Sequence, residues 1–263
     1  MVSLQQLLPD GGAAFDLPAE REQAFADGLV ELYAQDAGVR LAAVVSLDGA
    51  MTGPDGTSDT ISPDGDRTML RLQRGLADVV LAGAGTARGE TYRAPSAPAV
   101  LADRRAALGM APAPRLVVVT RSGDIAGVPA FSGPAAHGDA AHGALPPWVL
   151  TCTAGASRVA DELELPEDGL IVAGDDDVDL AAGLADLASR GLTRVLCEGG
   201  PQLNRTLQLA GLADELCLTI SPTLSGRGPS LLGAGEMPND SAPGYPLRHL
   251  LAGGGALFGR WAR

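Results

Sequence analysis

The sequence predicts an α/β fold with three layers, in which helices cover both faces of a mostly parallel central sheet. Short apolar runs alternate with helical segments along most of the chain, as they do in consecutive β-α-β units. Several runs are apolar throughout, which is typical of parallel strands buried on both faces. Near the end of the chain, the runs 247–251 and 256–261 flank a glycine-rich turn and predict a terminal antiparallel hairpin.

Length and composition favour one globular unit. The 263 residues are 46% hydrophobic, which is ample for a large core. Residues 1–38 are expected to form a helical cap, with an amphipathic helix from about Pro18 to Gln35, and residues 39–263 a single domain. The sequence has neither the pattern of a signal peptide nor an apolar stretch long enough for a membrane helix, so we expect a cytoplasmic protein.

Charge and side-chain chemistry exclude several functions. The formal net charge is −13, which opposes binding to nucleic acid or to an anionic membrane. All 19 basic residues are arginine, so a Walker-type phosphate loop and a lysine Schiff base are both excluded. The three cysteines lie in apolar runs without CxxC spacing, and His137 and His142 lack the spacing of a helical metal pair. We therefore expect no metal site.

The first buried strand is predicted from Arg40, where the apolar run LAAVVS follows. Asp48 lies in the turn after this strand, at the carboxyl edge of the sheet, where open α/β sheets bind ligands. A polar loop comes next, and Ser62 and Pro63 then have the residue types of an N-cap and a first helical position. On this helix Arg74 shares a face with two other arginines, and the spacing alone favours a solvated row of charges.

The next two strands end in segments suited to anions. After the second strand, Gly83 and Gly85 permit close backbone approach and Thr86 adds a hydroxyl. The third strand leads into Arg121 and Ser122, whose donors fit the 2′-phosphate of NADPH. An ordinary strand-end turn is the simpler explanation of that pair taken alone.

The unit from 193 to 222 joins strand, glycine turn, helix and strand without interruption. It follows a surface excursion, 125–146, which is rich in glycine, alanine and proline, and a further strand-helix alternation. Its turn, Glu198-Gly199-Gly200-Pro201, directs backbone N–H groups and a helix dipole at one place and so predicts an anion site. A tight connection without a ligand explains the same turn equally well.

Five segments together resemble a known family. They are SLDGAMT (46–52), SDTISPDGDR (58–67), LADVVLAGAGTARGETYR (76–93), VLCEGGPQL (195–203) and GLADELCLTISP (211–222). In this order they are similar to the RibD C-terminal domain, the reductase domain of bacterial riboflavin biosynthesis, which has a dihydrofolate-reductase-like fold. The resemblance covers roughly residues 39–263. It implies NADPH-dependent reduction of the ribosyl group of 5-amino-6-(5-phosphoribosylamino)uracil to the ribitylamino product.

The glycine turns and the resemblance together indicate where ligands bind. The candidate cofactor-binding residues are Val44, Thr60, Gly83, Gly85, Thr86, Glu90, Arg121, Ser122, Gly199, Gly200, Pro201, Gln202 and Leu203. The implied substrate-binding residues are Ser58, Arg74, Arg93 and Glu198. In this reading Arg74 holds the sugar phosphate, and Asp48 and Glu198 are the candidate catalytic carboxylates. The residues leave the proton donor unassigned, with water as one candidate.

The sequence departs from the family pattern at three places. Members fused to a deaminase carry a zinc motif upstream, which residues 1–40 lack, so a stand-alone reductase is expected. Glu90 stands where relatives often have aspartate, and Thr60 where a bulkier aromatic residue occurs. The substrate therefore stays open between the uracil compound, the 2,5-diamino-6-ribosylaminopyrimidinone phosphate and dihydrofolate. The resemblance implies a homodimer, and an NADPH-binding protein without turnover is the alternative from another class.

Overall fold

The computed structural model describes residues 2–8, 12–18, 25–133, 136, 143–235 and 244–263. These residues form an 11-stranded sheet with the order β2-β1-β10-β11-β9-β3-β8-β4-β5-β6-β7. The strands are β1 (Ser3–Leu8), β2 (Ala14–Asp16), β3 (Gly38–Val45), β4 (Val79–Gly83), β5 (Arg115–Val119), β6 (Trp148–Thr151), β7 (Leu170–Val172), β8 (Arg194–Cys197), β9 (Ala213–Ile220), β10 (Leu247–Gly253) and β11 (Ala256–Ala262).

The sheet is parallel over most of its width. The strands from β9 across to β7 are mutually parallel. Beyond β9, the strands β11, β10, β1 and β2 continue the sheet in antiparallel pairs. The predicted mostly parallel sheet and the C-terminal hairpin, which is β10–β11, are both confirmed.

Helices cover both faces of this sheet. They are α1 (Asp27–Tyr33), α2 (Asp66–Leu76), α3 (Ala84–Gly89), α4 (Ala102–Ala107), α5 (Thr153–Glu162), α6 (Leu180–Ser189) and α7 (Pro201–Leu209), with 3-10 turns at Ala99–Leu101 and Pro129–Phe131. On one face, Leu41 and Cys197 pack in a core with Leu207 of α7. On the other face, Leu196 packs in a core with Val159 of α5. Neighbouring residues of a strand thus face opposite cores, which confirms the three-layer prediction.

Two local predictions need correction. The helix expected to begin at Pro63 begins at Asp66, because Gly65 has a left-handed conformation with φ 95° just before it. The Ser62 hydroxyl, expected to cap the helix, donates instead to Asp66 Oδ2 at 3.0 Å. The segment after β4, expected to be a glycine turn, is the short helix α3.

The expected N-terminal helical cap is wrong for its first half. Leu4 and Phe15 are buried between more exposed neighbours, which is the alternation of a strand with one buried face, and they lie in β1 and β2. β1 pairs with β10, so this segment extends the main sheet. Within the described part of the predicted helix, Asp27–Tyr33 is helical, and residues 19–24 lie outside the described residues.

The structure describes all three cysteines but not the two histidines of the sequence analysis. Cys152, Cys197 and Cys217 are buried and free. The described residues contain no group of three or more histidine, cysteine, aspartate or glutamate side chains arranged to hold a metal ion. His137 and His142 lie outside the described residues. In the part of the chain that the structure describes, no helix is long and apolar enough to cross a membrane.

The carboxyl edge of the sheet has a step at β8. Cys197, the last residue of β8, pairs in register with Leu41 of β3 and with Leu81 of β4. β3 continues beyond this level through 42–45, beside β9, and β4 continues through 82–83. The residues that follow Cys197 stay hydrogen-bonded to β4, from the Glu198 N–H to the Leu81 carbonyl and from the Gly83 N–H to the Gly199 carbonyl, while their pairing with β3 ends. They lie at the carboxyl edge, where open α/β sheets bind ligands. We call the place between this segment and the end of β3 the β8 cleft.

β9 carries most of the segment GLADELCLTISP. It lies between β3 and β11, so both of its edges are paired within the chain. Two copies therefore cannot associate by pairing this strand edge to edge. The homodimer itself stays a prediction.

A buried ion cluster joins β3, β9 and β11. The fully buried Arg40 binds Glu215 at 2.6 Å and the Tyr33 carbonyl at 2.8 Å. Arg260 donates to the other Glu215 oxygen at 2.5 Å. The Glu215 carboxylate thus pairs with two guanidiniums. Without it the buried Arg40 charge would have no counter-charge, which would lower the free energy of unfolding.

Glu215→Ala is expected to lower the free energy of unfolding by about 3–5 kcal/mol, because it leaves the buried Arg40 without its counter-charge. The control is Asp186→Ala, which breaks a partly exposed ion pair with Arg190 and should cost about 1 kcal/mol or less. Urea unfolding of both variants measures the difference. Similar losses in the two variants would show that the buried cluster does not stabilise the fold more than a surface pair.

Candidate active site

Glu198 forms the floor of the β8 cleft and is held by side chains from two other segments. It follows Cys197 directly, and its side chain is 3% exposed. Arg74, in the last turn of α2, donates through Nε to Oε1 at 2.7 Å and through Nη2 to Oε2 at 2.6 Å. The Tyr92 hydroxyl donates to Oε2 at 2.6 Å, and the Arg74 guanidinium lies 5.5 Å from the centre of the Tyr92 ring. Together they fix the carboxylate in one orientation.

Both partners of Glu198 have shifted pKa values. Burial alone would lower the pKa of Arg74, but the Glu198 carboxylate outweighs it and raises that pKa. Burial raises the pKa of Tyr92 well above its usual value, and the charge of Glu198 adds to the shift. Neither side chain can therefore release a proton near neutral pH. Glu198 Oε1 accepts one of the three hydrogen bonds and keeps room for a donor from a ligand.

The structure places Arg74 in the cleft, where the resemblance implied it, and not in a solvated row. Its Nε and Nη2 bind Glu198, and Nη1 makes neither of these two hydrogen bonds. Arg93, the other predicted substrate arginine, is exposed. Sequence reasoning missed Tyr92, whose only signal is its place between the glycine segment after β4 and Arg93. The substrate roles of both arginines stay predictions.

Two glycine segments meet at the wall of the cleft formed by β4. The Gly83 N–H donates to the Gly199 carbonyl at 2.8 Å. Gly200 precedes α7, and a Cβ on it would lie 2.4 Å from Thr86 Oγ1 of α3. At Gly85, by contrast, no described atom lies within 4 Å of the Cβ position. The amino ends of α3 and α7 thus converge beside open space, which fits the diphosphate of a dinucleotide.

α7 presents backbone groups and not side chains to this place. Pro201 is its first residue, Leu203 is buried in the core and Gln202 is exposed. Among the described residues no side chain caps the helix, so its first-turn N–H groups and its positive dipole end are available to an anion. A phosphate at this turn stays a prediction, and the geometry is compatible with it.

Arg121 and Ser122 lie just beyond β5, the neighbour of β4, and both are exposed. Val119 at the end of β5 pairs in register with Gly83, so the two residues lie at the same edge as the glycine segments. Arg121 and Ser122 thus lie next to the strand that leads into the first glycine segment. Their role at a 2′-phosphate stays a prediction.

The loop after β3 is tied to α3 at one point. The Ser58 N–H donates to Glu90 Oε1 at 2.9 Å, so the structure brings these two candidate residues together. The Thr60 hydroxyl donates to Asp55 Oδ1 at 2.9 Å within its own loop. Val44 is a buried residue near the end of β3. Ser58 and Glu90 thus contact each other, while the Thr60 hydroxyl is already engaged.

Asp48 binds a second loop and not the cleft floor. Its Oδ1 accepts from the Ser46 hydroxyl at 2.5 Å and from the Ser225 N–H at 3.0 Å, and its Oδ2 from the Gly226 N–H at 2.7 Å. The hydrogen bond from Ser46, followed by those from the two N–H groups, lowers the pKa of Asp48 to about 2. This geometry favours an anchor for the loop at 225–226 over the predicted catalytic role.

Asp66 is a carboxyl that the sequence pattern did not single out as functional. It is the first residue of α2, and its Oδ2 accepts a hydrogen bond from the Ser62 hydroxyl at 3.0 Å. Burial raises the pKa of Asp66, and the charge of Glu198 adds to the rise. The direction of this shift sets Asp66 apart from Asp48, whose pKa is lowered.

Comparison with known proteins identifies the family. Residues 37–254 match the family described as the RibD C-terminal domain. The chain belongs to the RibD C-terminal domain family. Its five motif segments lie within the match, and membership supports an oxidoreductase role in riboflavin biosynthesis. No curated protein sequence matches the chain.

Solved structures with the fold of the RibD C-terminal domain family include three from different organisms. A pyrimidine reductase-like protein from Corynebacterium diphtheriae is 26% identical, with a TM-score of 0.69 over 86% of this chain and 91% of that one. A diaminohydroxyphosphoribosylaminopyrimidine deaminase/5-amino-6-(5-phosphoribosylamino)uracil reductase from Thermotoga maritima is 19% identical, with a TM-score of 0.62 over 86% of this chain and 56% of that one. The riboflavin biosynthesis reductase Rib7 from Saccharomyces cerevisiae is 18% identical, with a TM-score of 0.54 over 89% and 98%. They confirm the predicted fold.

In this member of the RibD C-terminal domain family, residues of separate motif segments contact one another in pairs. Glu198 and Arg74 are in contact, Ser58 and Glu90 are in contact, and Gly200 meets the Thr86 segment. These contacts make the cleft the site on which a functional proposal has to rest.

The chain spans little more than half the length of the Thermotoga protein.

Proposed function

We propose that this chain is a reductase of riboflavin biosynthesis that uses NADPH to reduce the ribosyl group of 5-amino-6-(5-phosphoribosylamino)uracil. The observation that carries the proposal is Glu198, held by Arg74 and Tyr92 at the floor of a cleft whose wall is two converging helix N-termini. A fixed acceptor beside an anion-binding wall can orient a polar substrate against a dinucleotide. The family and the name of the Corynebacterium protein agree with this chemistry.

In this proposal different residues of the cleft bind the cofactor and the substrate. The backbone at Gly83, Gly85 and Gly200 holds the cofactor diphosphate, and NADPH, when bound, supplies a hydride. Glu198 accepts a hydrogen bond at Oε1 from an N–H or O–H of the substrate, and Arg74 Nη1 binds the sugar phosphate. Because Glu198 is buried, water competes little for its hydrogen bonds, and they position the substrate strongly.

Measuring which of the three candidate compounds the protein reduces identifies its substrate. Purified protein is mixed with NADPH and, separately, with the uracil compound, the 2,5-diaminopyrimidinone phosphate and dihydrofolate, and the loss of nicotinamide absorbance is followed. Oxidation of NADPH by the phosphorylated uracil compound is the expected result. Turnover of dihydrofolate alone would overturn the proposal. NADPH binding without oxidation by any of the three would instead support a binding protein without catalysis.

Arg121→Ala is expected to reduce the preference for NADPH over NADH by about tenfold or more, since a charge-assisted hydrogen bond contributes about 1.5–3 kcal/mol. The ratio of the two dissociation constants measures the effect. Arg190→Ala is the matched control, because Arg190 follows α6 at the opposite edge of the sheet and pairs with Asp186. A ratio that stays the same in Arg121→Ala would remove this residue from the 2′-phosphate site.

A further inference from the structure

Backbone hydrogen bonds to β4 hold the turn that carries Glu198. The Glu198 N–H donates to the Leu81 carbonyl at 3.0 Å, and the Gly199 carbonyl accepts from the Gly83 N–H at 2.8 Å. Pairing with β3 ends one residue earlier, at Cys197. The place of the Glu198 carboxylate therefore also depends on the contacts that hold this turn beyond the last pair with β3.

Two side chains from other segments lie against Gly199. A Cβ on Gly199 would be 3.5 Å from Nδ2 of Asn204, a residue of α7. The same Cβ would be 3.8 Å from Cε of Met51, which lies beyond the end of β3. Both distances are ordinary van der Waals contacts. Asn204 and Met51 thus limit how far the backbone next to Glu198 can move.

One loop binds both of these residues. It comprises residues 223–233, beyond the end of β9, and we call it the β9 loop. The Met51 N–H donates to the Pro229 carbonyl at 2.8 Å, and Asn204 Nδ2 donates to the Leu231 carbonyl at 3.1 Å. Asp48 anchors the same loop by accepting from its N–H groups at 225–226. The β9 loop therefore joins Asn204 to the segment that follows β3.

Asn204 is fully buried, and both ends of its amide have partners. Nδ2 donates to Leu231, while Oδ1 accepts from Sγ of Cys197, the residue before Glu198, at 3.6 Å. Its backbone N–H donates to the Gly200 carbonyl at 3.0 Å. Breaking either amide contact would leave a buried polar group without a partner, which is unfavourable. Asn204 thus holds its neighbours in one arrangement.

We propose that Asn204 is a positioning residue for the reduction, an inference that rests on the function proposed above. It holds the backbone on both sides of Glu198, through Cys197 and Gly199, and it joins this backbone to the β9 loop. Successive residues of a strand point to opposite faces, so Asn204 supports the backbone from α7 while the Glu198 side chain points to Arg74 of α2. Asn204 acts on the substrate only through the place that it gives to the Glu198 carboxylate.

Asn204→Leu tests this role, because leucine is of similar size and lacks both polar atoms. We expect kcat/KM for the pyrimidine to fall by about tenfold, since a displaced carboxylate positions the substrate less well. The dissociation constant of NADPH should not change, because the backbone bond from residue 204 to Gly200 remains. Asn204→Asp is the second variant if Asn204→Leu does not fold: it keeps the acceptor for Cys197, loses the donor to Leu231 and should show the same split.

Gln208→Leu is the matched control. Gln208 is another buried amide of α7, but its Oε1 accepts from the Tyr245 hydroxyl at 2.8 Å, near the other end of the helix. This variant should lower the free energy of unfolding and keep kcat/KM. A tenfold loss of kcat/KM in Gln208→Leu as well would mean that any damage to α7 slows the reaction, which contradicts a specific role for Asn204.

The double variant with Glu198→Gln separates positioning from a general structural role. If Asn204 acts through Glu198, adding Asn204→Leu to Glu198→Gln should lower kcat/KM much less than adding it to the unaltered protein. A structural role predicts the same loss in both backgrounds. Equal losses overturn the proposal, and so does an unchanged kcat/KM in Asn204→Leu.

Amide hydrogen exchange of the full chain needs neither substrate nor cofactor. The N–H groups of Met51 and Gly83, whose acceptors are the Pro229 and Gly199 carbonyls, should exchange faster in Asn204→Leu and at the unaltered rate in Gln208→Leu. Unchanged exchange at both amides in Asn204→Leu overturns the positioning role, whatever the protein reduces. If the unaltered protein oxidises NADPH with none of the substrates, the proposed function fails, while the exchange rates still decide whether Asn204 holds the turn.

Discussion

Glu198→Gln should lower kcat/KM for the pyrimidine substrate by about 10²–10³-fold, or roughly 3–4 kcal/mol of transition-state stabilisation. The amide replaces one oxygen acceptor with an N–H₂ group that faces either Arg74 or the Tyr92 hydroxyl, both of which donate to this carboxylate. The guanidinium then loses part of its counter-charge in a largely buried place, and the substrate loses a fixed acceptor. Steady-state kinetics with NADPH measure the ratio.

Two further measurements make this result specific. NADPH affinity, from nicotinamide fluorescence, should change little, because the glycine segments that would hold the diphosphate lie on the wall formed by β4. Tyr92→Phe is the matched variant, because it removes one of the hydrogen bonds to Glu198 and keeps the ion pair with Arg74. We expect it to lower transition-state stabilisation, measured as kcat/KM, by only about 1 kcal/mol. Parallel losses of NADPH affinity and turnover in Glu198→Gln would mean that the whole cleft is disturbed, which would contradict a positioning role.

The segments that sequence analysis predicted well are the ones whose structure is decided locally. Arg194–Cys197 is a short apolar run, Gly199 and Gly200 permit the tight turn, and Pro201 starts a helix without losing a hydrogen bond. The terminal hairpin is equally local, because two apolar runs flank a glycine-rich turn. Such signals act between neighbours in the sequence, so one chain is enough to recognise them.

The contacts that were missed join residues far apart in the sequence. β1 pairs with β10 near the other end of the chain, and its alternating pattern is too short to identify alone. Tyr92 reaches Glu198 only after the strands are ordered in the sheet. Periodicity assigns a residue to a face, but it does not determine which distant side chain will lie opposite.

Arg74 shows the difference between what the spacing of residues on a helix predicts and what a family resemblance predicts. Its spacing from the other arginines of α2 favours a solvated row, and this preference is a property of the helix alone. The fold brings the end of β8 against the same helix, and the buried Glu198 pairs with Arg74. The resemblance implied a place at the site because a family pattern carries information about tertiary contacts that spacing does not.

Gly200→Ala is expected to weaken NADPH binding by up to about 100-fold, because overpacking costs of about 1–3 kcal/mol are typical. The new Cβ would lie 2.4 Å from Thr86 Oγ1, so either the Thr86 side chain or the amino end of α7 must move. In the proposed function both belong to the wall that holds the cofactor diphosphate, and a shift of either misplaces its donors. Fluorescence titration with NADPH measures the loss.

Thr86→Ala combined with Gly200→Ala tests the cause. Removing Oγ1 removes the atom that the new methyl group would strike. Because Thr86 is itself a candidate cofactor residue, Thr86→Ala is the baseline: adding Gly200→Ala to it should weaken NADPH binding less than adding Gly200→Ala to the unaltered protein. Gly85→Ala adds the opposite case: no described atom lies within 4 Å of its Cβ position, so the free energy of unfolding should not fall. A loss of NADPH affinity in Gly85→Ala must then come from contact between the methyl group and the cofactor. Unchanged affinity in both Gly200→Ala and Gly85→Ala would place the cofactor diphosphate away from the glycine segments.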